Sequence, residues 1–288
     1  MDAILQQIAD WLKEMLVDGI MNNLSGMFDA VNRQVADVAV QVGNTPANFS
    51  PGVFNLVHGI SESVIIPIAG MFLTFIACYE LIQLIIEHNN LANFETWIFF
   101  KWIFKTFVAV VLITNTFDIV MAVFDVAQHV VNSSAGLIAG TTAVDATALE
   151  SIRDNLEAME LGALLGLFLQ SFFVQICSTI LSVAIFVIVY GRMMEIYLMT
   201  SLAPIPFSTF GNHEQSHIGQ NYLRALFALG FQGFLIMICI GIYAVLVQTV
   251  AFSDDIMGSI WGVMGYTVLL CFSLFKTGTL AKSVMSAH

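Results

Sequence analysis

The sequence predicts an all-α protein: a polytopic membrane helix bundle of five transmembrane helices, joined by a Pro-broken re-entrant or interfacial segment and preceded by an N-terminal amphipathic helix. Three observations lead there. Of 288 residues, 58% are apolar and only 10% are charged, and the mean hydropathy is +0.85. Five runs are long and apolar enough to cross a bilayer. Lys and Arg gather beside one set of run ends. A soluble domain covers its exterior with charge on roughly a quarter of its residues, so the surface of this chain is made for lipid. The net charge of −12, from 9 basic and 21 acidic residues, argues against duplex DNA binding by phosphate neutralisation, which needs a basic face.

Residues 1–52 read as an extracytoplasmic amphipathic helical region followed by a linker. Leu24, Phe28, Val31, Val35, Val38 and Val42 recur at spacings of 4, 3, 4, 3 and 4, the period of a heptad seam. That stripe suits either packing on the membrane face or the chain's own bundle, or a seam between neighbouring subunits. Ile4, Ile8, Trp11 and Met15 continue a similar stripe upstream, and Gly43, Asn44, Pro46 and Pro51 mark the linker. The acidic start lacks the basic region of a signal peptide, so the first apolar run is expected to act as the insertion signal.

Residues 53–288 read as the transmembrane bundle. A span needs about 20 mostly apolar residues to cross about 30 Å of hydrocarbon. The expected spans lie near 64–86, 103–124, 162–190, 226–252 and 259–274. A sixth apolar piece, 193–210, is interrupted by Pro204 and Pro206. Its unbroken part is too short to cross, so it reads as a broken segment with a hinge at those prolines. Between the second and third spans lies an acidic outer loop, 125–161, in which Thr147 and Glu150 fit a capping box ahead of the stripe Leu149, Ile152, Leu156 and Met159. Gly162-x-x-x-Gly166, like two further pairs at that spacing, would permit close helix approach.

Orientation follows from the bias of Lys and Arg toward the cytoplasm. Lys101, Lys105, Arg192, Arg224, Lys276 and Lys282 fall on one side if five spans alternate, which puts the N-terminus outside, the C-terminus inside, and the broken segment 192–224 in the cytoplasm. Charges within spans need partners or water. Glu80 and Lys105 sit where antiparallel neighbours could pair them, and Arg192 and Glu195 are three residues apart on one helix face. Asp118 has no evident partner and is expected to face water or another subunit.

Catalytic signatures are thin. His213-Glu214-Gln215-Ser216-His217 matches H-E-x-x-H, the pattern of zinc peptidases. Gly211, Asn212 and Gly219 leave the required helix poorly supported, and no third ligand stands out. Cys78, Cys177, Cys239 and Cys271 each lie in an apolar run and read as small hydrophobes, not as disulfides or metal ligands. The chain is expected to be no enzyme and to need no cofactor, with phospholipid the one bound small molecule the reading admits.

The run from Arg192-Met-Met-Glu195 through Ala-Pro204-Ile-Pro206, followed by Phe210-Gly211-Asn212, Ile218-Gly219-Gln220-Asn221-Tyr222-Leu223-Arg224 and Ala228-Leu229-Gly230-Phe231-Gln232-Gly233, carries a resemblance. It covers about a sixth of the chain. It resembles the TrbL-like polytopic inner-membrane subunit of type IV secretion and conjugation systems, in the form found in integrative conjugative elements of Gram-positive anaerobes. The resemblance implies a bacterial cytoplasmic-membrane channel or scaffold subunit that assembles with itself as a ring, a pentamer. Its implied partners are the system's ATPases and other membrane subunits, and its cargo, handled indirectly, a relaxase joined to single-stranded DNA. The alternative from the residues themselves is a small secondary transporter or ion channel, motivated by Glu80, Asp118 and the broken helix.

Overall fold

The structure is a computed structural model that describes residues 2–87, 96–138, 146–212, 214–251 and 256–287. Every regular element among them is helical. In chain order these are α1 (Asp2–Gly43), α2 (Pro46–Phe49), α3 (Pro51–Ile60), a π-helical turn (Ser61–Ile65), α4 (Ile66–Glu87), α5 (Thr96–Thr114), α6 (Thr116–Ile138), α7 (Ala146–Glu157), α8 (Leu161–Leu202), α9 (Pro204–Ser208), a 3-10 turn (Thr209–Gly211), α10 (Ser216–Ala251) and α11 (Ile256–Val284). Among the described residues, five stretches are long and apolar enough to cross a membrane: Pro51–Ile86, Trp97–Thr114, Leu161–Gly211, Ser216–Thr249 and Gly258–Val284. The expected all-α polytopic bundle is the observed one.

Several span boundaries differ from the sequence reading: the third stretch runs on to Gly211 through the broken segment, the fourth starts at Ser216 and the fifth ends at Val284. The first span starts at Pro51, because α3 passes into α4 through the π turn without leaving a helical path. The second stops at Thr114 instead of running on to Phe124. There Thr114, Asn115 and Thr116 all turn their side chains back onto carbonyls of the preceding turn, with Asn115 Nδ2 donating to Val111 O at 2.8 Å and Thr116 Oγ1 to Leu112 O at 2.6 Å. Such back-bonding competes with the helical ladder and bends it. Where a linker was expected, Pro46 and Pro51 open helices α2 and α3 at first helical positions, where a missing N–H costs nothing, and Thr45 Oγ1 accepts from Asn48 N at 3.2 Å.

The chain divides into two compact units. The first comprises residues 1–43, 131–189 and 235–277. Its core joins Leu16, Ile20, Leu24 and Met27 of α1 to Leu164, Leu167, Val174 and Ile185 of α8, with Ile236, Ile240 and Tyr243 of α10 and Ile260, Val263 and Leu270 of α11. Tyr243 Oη and Thr267 Oγ1 share a buried hydrogen bond of 2.9 Å. Helix α1 runs parallel to α8: Gly19 faces the Phe168 ring, Asn23 Nδ2 donates to Ser171 Oγ at 3.0 Å, and Gly26 faces the Gln175 amide. A Cβ on Gly19 would lie 2.6 Å from Phe168 Cε2, so the absent side chain is what lets the Phe168 ring pack directly on the α1 backbone. Gly162 and Gly166, by contrast, face open space. Helix α7 is tied to α1 by Arg153, which reaches Asp18 at 2.9 Å and Glu157 at 3.2 Å. Of the expected α7 stripe, Leu156 is buried and Ile152 and Met159 pack against this core, while the side chains of Thr147, Leu149 and Glu150 lie outside the described residues.

The second unit comprises residues 44–130, 190–234 and 278–288. Its core brings Ala69 and Leu73 of α4, Ala109 and Ile113 of α5, and Val120 and Phe124 of α6 around Ala203 and Phe207 of the Pro-broken segment.

Candidate functional site: a proline-broken segment between two spans

Ordinary helix physics breaks the chain after Leu202. Pro204 brings no N–H, and its ring disfavours the helical continuation, so α8 ends there and the backbone turns through Ala203, whose N–H bonds Thr200 O at 3.3 Å. The carbonyls of this region are met by hydroxyls one turn on: Thr200 Oγ1 to Ile196 O (2.8 Å), Ser201 Oγ to Leu198 O (2.8 Å), Ser208 Oγ to Ile205 O (2.6 Å) and Thr209 Oγ1 to Pro206 O (2.7 Å). Irregular backbone at membrane depth needs this sort of internal satisfaction.

The segment is packed between spans. Helix α9 and the 3-10 turn contact both α4 and α5. Pro204, Phe207, Ser208, Thr209 and Gly211 are buried. Phe207 meets Phe210 and Tyr222 edge-on, with centroids 5.6 and 6.0 Å apart, and Tyr222 Oη donates to Met199 O. The chain then returns: buried Asn212 accepts from Glu214 N at 2.7 Å and Gln215 N at 3.2 Å, which turns it into α10. Gly219 N donates to Thr209 Oγ1 at 3.1 Å, closing the loop. A buried Tyr197 Oη donates to Pro46 O at 2.6 Å and anchors the end of α8 to the linker. Tyr197→Phe should cost about 1 kcal/mol, the net worth of one such bond plus its orphaned acceptor, read as a small fall in the thermal midpoint of the solubilised protein.

The charged residues singled out in the sequence are distributed as follows. Glu80 on α4 and Lys105 on α5 form an ion pair in which Glu80 is 15% exposed and Lys105 36%. Glu80 Oε2 is buried without a hydrogen-bond partner. Arg192 and Glu195 do not pair as a helix-face couple. The Arg192 guanidinium is buried and turns onto α10, where Nε and Nη2 donate to Leu229 O at 3.3 and 3.2 Å. Glu195 instead meets Lys282 at 3.1 Å. Residue spacing on α8 could not reveal either partner, since one is a backbone carbonyl and the other lies 87 residues on. Asp118 is exposed in the first turn of α6, just past the Thr114–Thr116 bend. Leu24, Val35, Val38 and Val42 of the heptad seam are buried in the first unit's core, and the side chains of Phe28 and Val31 lie outside the described residues.

The H-E-x-x-H match does not form a helical ligand pair. Glu214 and Gln215 occupy a turn and α10 begins at Ser216, so His217 lies in the helix and Glu214 does not. His213 lies outside the described residues. Among the described residues no group of three or more His, Cys, Asp or Glu could hold a metal ion. The four cysteines are free.

Five apolar helical stretches and a Pro-broken segment buried between the first two define an all-α polytopic membrane protein. The chain belongs to the TrbL/VirB6 plasmid conjugal transfer like family, which it matches over residues 31–204, well over half its length. The match runs from the middle of α1 to the first proline of the break, so it takes in only the Arg192 to Pro204 part of the run that carried the resemblance. No curated protein and no solved structure matches the chain.

Proposed function

We propose that this protein is a membrane scaffold and gate subunit of a type IV secretion machine for conjugative DNA transfer. It assembles with itself as a ring, a pentamer, in the bacterial cytoplasmic membrane. The observation that carries the reading is the family match over residues 31–204. Its N-terminus lies outside and its C-terminus in the cytoplasm, the orientation that places Lys101, Arg192, Arg224 and Lys282 on the positive-inside face. Lys101 and Arg224 are exposed there and suit an acidic face of a partner ATPase or membrane subunit. Pro204 and Pro206 form the hinge of the gate, because the segment between α4 and α5 is joined to α8 by a turn and not by a continuous helix.

This role is mechanical, not catalytic, and the relaxase with its single-stranded DNA is handled through partners. An acidic chain would repel a bare phosphate backbone. Phospholipid fills the surface between copies. Deleting the gene should abolish conjugative transfer while growth continues unchanged, and a copy supplied in trans should restore transfer. Undiminished transfer from the deletion strain would overturn the reading.

A further inference from the structure

Helix α1 carries two stripes of heptad period on opposite sides. The inner one, with Leu24, Val35, Val38 and Val42, is buried in the core of its own unit. The outer one runs through Ile4, Ile8, Trp11, Met15, Asp18 and Asn22, at spacings of 4, 3, 4, 3 and 4. Met15 and Leu24 are nine residues apart, about two and a half turns, which sets the stripes back to back. Ile4, Ile8, Trp11 and Met15 are 64, 51, 60 and 51% exposed. Four large apolar side chains therefore stand in a row along about 16 Å of helix, each more than half uncovered.

Beyond Met15 the same side of α1 turns polar. Asp18, at the junction, is held by Arg153 of α7 at 2.9 Å, and Asn22, Asp29, Arg33 and Asp37 are exposed further along. The face is thus apolar in its first half and net acidic in its second, where Asp29 and Asp37 flank Arg33. Charge selects what fits it. An anionic lipid surface is repelled by exposed Asp10 and Glu14, which sit on the turns that carry the apolar row. A second copy fits in neither direction: laid parallel, acidic half meets acidic half, and laid antiparallel, each apolar half meets an acidic one. A helix that is apolar at one end and basic at the other is complementary along the whole face.

We propose that the outward face of α1 is the docking site for a helix of a different protein, apolar where it meets Ile4, Ile8, Trp11 and Met15 and rich in Lys or Arg where it meets Asp29 and Asp37. This rests on the reading of the chain as one subunit of a larger machine. It adds which surface of α1 takes a partner and the charge that partner carries, opposite in sign to the acidic partner suited to Lys101 and Arg224.

The test is photo-crosslinking in donor cells, with benzoylphenylalanine in place of Ile8 in the full chain and the crosslinked segment sequenced by mass spectrometry. The expected product joins the chain to a different protein, at a helical segment with apolar residues at heptad spacing and Lys or Arg beyond them. Asp29→Lys with Asp37→Lys should lower the yield at least about fivefold and leave the thermal midpoint unchanged, since both residues are exposed. Trp11→Ser, in the apolar half, gives the same readout should the charge-reversed chain fail to insert. Crosslinks to a second copy, to lipid alone or to nothing would overturn the docking face, and so would a partner segment without basic residues or a yield indifferent to charge reversal. Transfer lost on gene deletion, together with crosslinks to a second copy alone, sinks the docking face and leaves the secretion reading. Transfer that persists in the deletion strain sinks the secretion reading whatever the crosslinks are.

Discussion

Gly219→Val is expected to destabilise the second unit by about 3 kcal/mol, the upper end of overpacking costs, and to abolish transfer. The Gly219 position faces the inside of the turn that joins the Pro-broken segment to α10. A Cβ there would sit 2.9 Å from the carbonyl oxygen of Pro206 and 2.8 Å from the Phe210 ring. A ring at the end of a side chain can swing aside, but the Pro206 carbonyl belongs to the broken segment itself and also accepts from Thr209 Oγ1. Thr209 Oγ1 in turn accepts from Gly219 N, so a shift that relieves the clash breaks the bond that closes the turn. The measurement is the thermal midpoint of the solubilised protein beside transfer frequency. Unchanged values in both would show that the break tolerates a side chain and is not tightly held between α4 and α5.

Lys105→Ala is expected to cost about 2 kcal/mol. Removing one member of a buried pair typically costs about 3–5 kcal/mol, and the partial exposure of Lys105 lowers that through solvent screening. The loss comes from Glu80, which keeps one carboxylate oxygen buried and unpartnered even with the lysine present. Replacing both residues, Glu80→Gln with Lys105→Met, should recover most of the stability, because no buried charge then remains uncompensated. Should the double variant prove less stable than Lys105→Ala, the pair contributes by attraction and not merely by mutual neutralisation. Double-variant stability close to the parent, with normal transfer, would also set this pair apart from any ion pathway.

The fold class was legible in the sequence because it rests on composition and run length, which no tertiary contact can reverse. The proline break was legible for a similar local reason: a residue without an N–H ends a helix wherever it stands. Span ends were less so. Residues after Thr114 remain apolar enough to extend a hydropathy run, and only the return of three adjacent polar side chains to backbone carbonyls marks the bend. Partners were the least legible. Glu80 and Lys105 pair as their places at facing span ends suggest, but Arg192 takes the Leu229 carbonyl, for which no side-chain pattern exists. The α8 side chains Phe168 and Gln175 pack against Gly19 and Gly26 of α1, spaced by seven, whereas Gly162 and Gly166 of the Gly-x-x-x-Gly pattern meet no neighbour.

The claim that this chain is a ring-forming subunit of a conjugation machine is tested most directly by the mass and symmetry of the gently solubilised full-length particle, by native mass spectrometry with two-dimensional class averages. A closed ring of several copies, with phospholipid retained, is the expected result. A monodisperse monomer in several mild detergents would contradict it, and would favour a small transporter built from one copy.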